Sequence, residues 1–188
     1  MKSNGLTRMA VLVSAVAVIG LTAPSVADAA PRGYQRTMPC PTAAELNGGF
    51  AKGLTTMVRE GDLDKSEALA ARKQFAKWIK ANPSAGCDIR DGMMENGQEF
   101  MDFLGMTPME IQAAYFAGQS MSEMAAENGI SEDELIAYME AQMDEGLDAF
   151  VAAGAFDSEV RDAIDAKASE AIAWGVDYHK GDPMPKGR

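Results

Sequence analysis

The chain has 188 residues, with 17 Lys and Arg against 28 Asp and Glu, and a formal net charge of −11 at pH 7. An excess of acid on this scale repels phosphate groups, which argues against nucleic acids and anionic membrane surfaces as partners. With one histidine and two cysteines, the chain has too few of the preferred ligands for a zinc site. We therefore predict no nucleic-acid binding and no zinc centre.

The first 29 residues have the three parts of a secretory signal peptide. Lys2 and Arg8 form a positive start, residues 9–23 form an apolar run, and Ala27 and Ala29 flank a small-x-small cleavage position. The run is too short for a good membrane span, and no other stretch is apolar enough to cross a bilayer. We predict a periplasmic or secreted protein without a membrane span after cleavage; the alternative is an uncleaved N-terminal anchor.

The two cysteines, Cys40 and Cys87, both lie in the predicted mature chain. An exported chain with two cysteines usually forms one disulfide. The cysteines are far apart, so they form no CxxC redox motif. We predict a disulfide between them; the alternative is a pair of free reactive thiols.

Helix start and stop signals recur along the chain. Four segments fit the capping box, in which a hydroxyl caps a backbone N–H and a glutamate three residues later reaches back: TAAE at 42–45, TPME at 107–110, SMSE at 120–123 and SEDE at 131–134. Glycines or an Asn-Pro pair end the helical patterns, and strand patterns are nearly absent. The sequence predicts an all-α fold of seven helices, at about 43–60, 65–81, 91–104, 108–117, 121–128, 132–153 and 158–174.

A faint internal repeat organises these helices. The segments GLTTMVREGDLDKSEALAARKQFAKWI, from Gly53, and GLDAFVAAGAFDSEVRDAIDAKASEAI, from Gly146, align without gaps. Both have the pattern helix, glycine turn, apolar residue, aspartate cap, helix. We predict an antiparallel helical hairpin that is used twice and stacked, with the Cys40–Cys87 bridge closing the open end of the first copy.

The charge is divided between the predicted segments. We predict a signal peptide at 1–29, an N-terminal hairpin closed by the disulfide at 30–90, an acidic helical region at 91–174 and a flexible tail at 175–188. Residues 31–90 hold ten Lys and Arg against six Asp and Glu, whereas residues 91–170 hold two against nineteen. The two halves carry opposite net charges and can attract each other; the alternative is an acidic helix surface that is simply solvated.

Residues 120–139, SMSEMAAENGISEDELIAYM, have the small-residue and glycine spacing of a helix-turn-helix. The helix that would enter the major groove begins SEDELIAYMEAQMDEGLD, with seven acids and no base, so DNA would repel it. The stretch is also similar to the two central helices of a LysM module, which binds peptidoglycan or chitin. A LysM module has a strand on each side, where this chain has helical patterns. We predict no DNA binding and keep cell-wall glycan binding as an alternative.

A series of short motifs runs through residues 104–172. The motifs are, in order, LGMTPMEI, GQSMSEMA, GIS and FVAAGAFDSEV. This series resembles a helical segment common in exported bacterial proteins without an assigned activity. The resemblance implies an exported α-helical protein and no catalytic residues. Where that pattern tends to have leucine, this chain has Met106, Met121 and Met124.

Two groups of residues are candidates for cation binding. Met121 and Met124 pair at helical spacing and offer thioether ligands for Cu(I); the alternative is that they replace leucine in the core. Glu140, Asp144 and Asp148 form an i, i+4, i+8 ladder of like charges, which favours a basic partner or a hard cation such as Ca²⁺ nearby. The alternative for the ladder is a solvated helix face.

Groups that carry catalysis are scarce in this sequence. The only histidine, His179, lies in the predicted tail, and the chain has no Ser/His/Asp set and no glycine-rich phosphate loop. We predict no catalytic residues, no cofactor and no enzyme activity. The sequence favours a non-enzymatic interaction or structural protein of the bacterial envelope or exterior, which binds a protein partner in a groove between the hairpins or on the acidic face. The alternatives are a periplasmic cation-binding protein and a cell-wall glycan binder.

Overall fold

The structure is a computed structural model that describes residues 39–179. In this range the chain forms seven helices and no strand: α1 (Ala43–Glu60), α2 (Lys65–Ala81), α3 (Ala85–Leu104), α4 (Pro108–Ala117), α5 (Met121–Glu127), α6 (Glu132–Ala152) and α7 (Ser158–Gly175). The predicted all-α class is confirmed. None of the described helices has the length and apolar character needed to cross a bilayer. The predicted signal peptide and the residues after 179 lie outside the described range.

The helices begin where local hydrogen-bonding chemistry places them, and all four predicted capping boxes are formed. At α1, Thr42 Oγ1 accepts a hydrogen bond from the Glu45 N–H at 3.2 Å, and the Thr42 N–H donates to the Glu45 carboxylate at 2.7 Å. This backbone hydrogen bond, followed by the one from the Thr42 hydroxyl, lowers the pKa of Glu45. At α2 the Asp64 N–H donates to the Glu67 carboxylate in the same way, at 2.7 Å.

The start of α3 differs from the prediction of a helix from residue 91. The helix begins at Ala85, after a connection of three residues from the end of α2. The Asp88 N–H donates to the Ser84 carbonyl at 3.0 Å, so the chain enters a new helix directly after the Asn-Pro pair. Ser84 makes no side-chain cap, and Gly86 and Gly92 lower the helix propensity of this stretch. Tertiary packing of the buried first turn therefore sets this boundary.

The predicted Cys40–Cys87 disulfide is formed, with 2.07 Å between the sulfur atoms. It joins the segment ahead of α1 to the first turn of α3 and so closes the open end of the hairpin made by α1 and α2. Gly86 lies beside the bridge. A Cβ at Gly86 would lie 1.9 Å from the carbonyl oxygen of Pro41, so only glycine lets α3 approach that backbone.

We expect Gly86→Ala to lower the free energy of unfolding by about 2 kcal/mol, because the Pro41 backbone would have to move. Gly97→Ala, in the same helix, is the matched control. Nothing lies within 4 Å of a Cβ at Gly97, so this change should raise the free energy of unfolding by about 0.5–1 kcal/mol. Urea denaturation of both variants measures the difference, and shifts of the same sign would contradict the close approach at Gly86.

The two copies of the predicted repeat form two packed hairpins. The first hairpin is α1 and α2, the second is α6 and α7, and each turns at a left-handed glycine, Gly61 (φ 88°) or Gly154 (φ 75°). Gln74 Nε2 donates to the Gly154 carbonyl at 3.3 Å. Lys167, which aligns with Gln74 in the repeat, forms a salt bridge with Asp62 at 3.3 Å. Each hairpin thus contacts the turn of the other, which is the reciprocal pattern of an approximate two-fold relationship.

The space between the hairpins is filled by the first core. Aromatic rings meet across it: Phe50 and Phe156 are stacked with 5.8 Å between their ring centres, and Trp78 and Phe150 meet edge to face at 5.6 Å. Buried aliphatic side chains complete this core: Leu46, Leu54, Met57, Leu63, Ile79, Ile89, Met143, Leu147, Val160 and Ile164. The space between the hairpins, where the sequence predicts a groove for a partner, is therefore occupied by side chains of the chain itself.

A second core lies where the end of α3, α5, the start of α6 and the end of α7 meet. Its fully buried members are Leu104, Ala125, Leu135 and Val176. Helix α6 spans both cores, because Leu135 lies in the second and Leu147 in the first. Helix α3 spans both cores as well, because Ile89 lies in the first and Leu104 in the second, so more than one helix joins the two cores.

After α7 the chain folds back onto α5. The Ser122 N–H donates to the Val176 carbonyl at 2.8 Å, and the Ser122 hydroxyl donates to Asp177 at 2.6 Å. His179 Nε2 lies 3.2 Å from the carboxylate of Glu123. The start of the predicted tail is therefore held against α5.

Candidate functional site

The methionines singled out as copper ligands pack among apolar side chains. Met124 is 3 % exposed, and Met121 packs at the edge of the second core beside Met106 and Met139. These are positions that leucine would also fill, since the two side chains have similar volumes. The structure thus places the predicted pair in core packing, and Cu(I) binding stays a prediction.

The acidic ladder on α6 has a counter-charge within the chain. Arg161 of α7 reaches across the second hairpin: its Nε lies 3.1 Å from Asp148, and its Nη2 donates to Asp144. Asp165 and Asp162, on α7 itself, lie 3.2 Å and 3.4 Å from the same guanidinium. Two of the three predicted calcium ligands are therefore engaged by an arginine that the sequence analysis did not identify.

Burial and neighbouring charges shift the pKa values of this network, and for Arg161 the two act in opposite directions. Burial lowers the pKa of Arg161, but the hydrogen bond to Asp148 and the charges of the neighbouring aspartates outweigh it, so the pKa is raised. Burial, and then the charge of Asp144, raises the pKa of Asp165, while Arg161 lowers it. Glu140 forms no salt bridge with another described residue. Among residues 39–179, no three His, Cys, Asp or Glu side chains are grouped so that they would hold a metal ion.

An open groove of about 210 Å³ runs along the outer side of the first hairpin, between α1 and α2. Buried Leu54 forms its floor, and Leu69 at its edge is 52 % exposed. Lys65 and Arg72 are exposed at the rim, and neither forms a salt bridge with another described residue. The lining residues are Ala51, Leu54, Thr55, Val58, Lys65, Ala68, Leu69 and Arg72. This surface, called the α1/α2 groove below, is apolar inside and basic at its rim.

In the internal repeat, residues that line this groove align with the residues of the Arg161 network. Continued two residues upstream, the alignment pairs Ala51 with Asp144, Thr55 with Asp148, Ala68 with Arg161, Leu69 with Asp162 and Arg72 with Asp165. In the second hairpin, an arginine and its four carboxylate partners occupy these positions. In the first, Ala51, Thr55, Ala68 and Leu69 line an open groove with Arg72 at its rim. The two hairpins therefore share a backbone plan and differ in whether charged side chains bridge the two helices at this place.

Helix α4 presents apolar side chains to solvent, and none of its residues is buried. Met109 is 80 % exposed and Phe116 is 48 % exposed. With exposed Ala113 they occupy positions i, i+4 and i+7, which lie on one side of a helix. A helix that is apolar on every side is normally buried. These three residues, called the α4 stripe below, are a second candidate contact surface.

Neither surface was predicted from the sequence. The predicted groove lay between the hairpins, where the side chains of the first core pack. Comparison of the chain with family models, with curated proteins and with solved structures finds no match. The resemblance over residues 104–172 therefore stays a prediction, and the function has to be argued from the surfaces of this chain.

Proposed function

We propose that this chain is an exported, non-enzymatic interaction protein and that the α1/α2 groove is its docking site for a protein partner. The observation that carries the proposal is the difference between the hairpins at aligned positions. In the second hairpin Arg161 spans the space between the two helices to reach Asp144 and Asp148, whereas the aligned Ala68 lines an open groove in the first. The open copy keeps Leu69 half exposed beside two bases that lack salt bridges to described residues.

Export is supported by two independent features. Residues 1–29 have the charge and hydropathy pattern of a cleaved signal peptide. The Cys40–Cys87 disulfide is of a kind that persists in oxidising compartments and is rare in the bacterial cytosol. Together they favour the periplasm or the exterior of the cell.

The groove indicates the chemistry of its partner. Its floor and walls are apolar, which suits the apolar side of an amphipathic helix. Lys65 and Arg72 at the rim favour carboxylates that flank this side, because opposite charges steer docking and set its register. The partner that fits is an amphipathic helix with leucine-like residues at i, i+3 or i+4 and i+7, flanked by Asp or Glu.

A synthetic helical peptide of this design tests the proposal, and we expect calorimetry to detect its binding. Lys65→Glu should weaken binding roughly tenfold, because it places a carboxylate against the acidic flank of the peptide. Lys77→Glu makes the same change at an exposed position of α2 outside the groove, so its effect should be several times smaller. Added salt should weaken binding to the unmodified protein.

A second peptide with lysine in place of each glutamate is the ligand control and should bind more weakly. Equal affinities for the two peptides would show that the basic rim plays no part. Equal effects of Lys65→Glu and Lys77→Glu would place the binding site elsewhere. No binding of the acidic peptide at any salt concentration would overturn the proposal.

A further inference from the structure

We propose that the occupant of the α1/α2 groove is the α4 stripe of a second copy of this chain, so that the protein self-associates head to tail. The inference rests on the proposed docking function of the groove. It names the partner, because one chain carries both an open apolar groove and an exposed apolar helix. The groove lies on the first hairpin and the stripe lies on α4, which packs against the second core, so each copy has one of each to offer.

The α4 stripe has the spacing that a helix-binding groove requires. Met109, Ala113 and Phe116 recur at i, i+4 and i+7, and the first of them is 80 % exposed. A small residue between two large ones lets the helix lie close to the groove floor, while the large side chains fill its ends. Leu69, half exposed at the edge of the groove, is the apolar contact that such a helix would cover.

The charges of the two surfaces are complementary. The chain has no Lys, Arg or His between Arg90 and Arg161, so the whole neighbourhood of α4 in sequence lacks a base. Glu110 lies beside Met109 and is exposed. The hydrogen bond from the Thr107 backbone lowers the pKa of Glu110, so its carboxylate is ionised at neutral pH. The Glu110 carboxylate, in a segment without bases, would face the rim bases Lys65 and Arg72.

The terminal segments of the same chain do not match the groove. Residues 30–38 contain two arginines and no acid, and residues 180–188 contain three bases and one acid. Both segments are basic, so the rim of the groove would repel them. Charge therefore favours α4 of another copy over the chain's own ends.

The assembly follows from the geometry of two different surfaces. A groove-to-stripe contact that is made once per pair of copies is heterologous and produces rings or open chains, whereas the same contact made in both directions closes a two-fold dimer. One helix in one groove is a small interface, so the association is weak and depends on concentration. Opposite charges across the contact make it weaker at high salt.

Sedimentation velocity of the mature, oxidised protein, from micromolar to near-millimolar concentration, tests the inference. We expect the average mass to rise with concentration and to fall with added salt. Leu69→Lys disables the groove and Met109→Lys disables the stripe, and each alone should weaken self-association roughly tenfold or more. Met94→Lys is the matched control: Met94 is 58 % exposed on α3 and lies on neither surface, so this variant should associate as the unmodified protein does.

Mixing the two disabled variants gives the decisive result. The intact stripe of the Leu69→Lys protein should enter the intact groove of the Met109→Lys protein, so the mixture should form dimers that do not grow further. Circular dichroism of each variant checks that it is folded, as expected for substitutions at exposed positions. A mixture that stays monomeric, or single variants that associate normally, would overturn the inference.

The two proposals can fail separately. If the unmodified protein stays monomeric while the acidic peptide binds its groove, the groove docks a different protein and only the self-association is wrong. If neither the peptide nor a second copy binds, the docking function fails as well.

Discussion

Replacing both cysteines by serine lowers the free energy of unfolding by about 4 kcal/mol, the largest effect that we expect from any local change in this chain. The Cys40–Cys87 bridge closes a loop with a sequence separation of 47, which contains the whole first hairpin. Removing the bridge raises the conformational entropy of the unfolded chain and so stabilises the unfolded state. It also frees the segment ahead of α1 from the first turn of α3, where Gly86 meets the Pro41 backbone.

Urea denaturation followed by the fluorescence of Trp78 measures this effect, because Trp78 lies in the first core beside Phe75 and Phe150. A Trp174→Phe background removes the other tryptophan. The denaturant dependence should also steepen, since an unfolded chain without the cross-link exposes more surface. Cys40→Ser alone serves as the control and should cost nearly as much as the double replacement. A loss below about 1 kcal/mol would mean that packing alone holds the hairpin closed.

Most helix boundaries could be predicted because they are set by local chemistry. Each capping box combines a hydroxyl with a glutamate three residues later, and these groups find each other within one helical turn, as Ser131 and Glu134 do at α6. Glycines with positive φ then end the helices, as Gly61 and Gly118 do. Such signals depend on a few neighbouring residues, so they can be found without knowledge of the fold.

The start of α3 could not be predicted because its cause is tertiary. Gly86 weakens a helix in isolation, yet the fold requires it where α3 passes the Pro41 carbonyl. Ile89, fully buried in the first core, provides the packing that offsets the lost propensity. A local sequence pattern shows that this glycine lowers the helix propensity, but it does not show the tertiary contact that requires the glycine.

The candidate site was partly visible in the sequence. The ladder of Asp144 and Asp148 is a local feature, but its partner Arg161 comes from another helix. Arg161 is the only Lys or Arg between Arg90 and Lys167, which is the signal that could have identified it. The groove is harder to predict, because it arises where small residues leave space that a neighbouring helix does not fill. Only the comparison of the two packed hairpins shows that Arg161 spans the equivalent space in the second one.

Arg161→Ala should lower the free energy of unfolding by about 3 kcal/mol at neutral pH, because it leaves several carboxylates without their counter-charge. The guanidinium is only 19 % exposed, whereas Asp148 is 71 % exposed and contributes less than partly buried Asp165. Arg72→Ala is the matched control at the aligned rim of the first hairpin. Arg72 is exposed and forms no salt bridge with a described residue, so its loss should cost about 0.5 kcal/mol or less.

The effect of Arg161→Ala should depend on pH in a defined direction. In the folded protein the pKa of Asp165 is raised above its ordinary value by burial and by Asp144, and Arg161 holds it down. Without Arg161 the folded-state pKa rises further, so the folded protein binds this proton more tightly than the unfolded chain does. The loss of stability is therefore smallest below the ordinary pKa of an aspartate and grows as the pH rises through the raised folded pKa. Urea denaturation at both ends of this range measures the difference.

A variant that carries the groove residues of the first hairpin at the aligned positions of the second separates the contribution of charge to stability from that of packing. Adding Asp144→Ala and Asp148→Thr to Arg161→Ala reproduces the aligned residues Ala51, Thr55 and Ala68 and removes two of the carboxylates that the single variant leaves unpaired. We expect the triple variant to recover at least about half of the lost stability, because removing both sides of an ion pair costs less than removing one. If it is as unstable as Arg161→Ala, the arginine acts through its packed aliphatic stem rather than its charge. Recovery would instead show that the cost of Arg161→Ala comes from the aspartates that it leaves without a counter-charge.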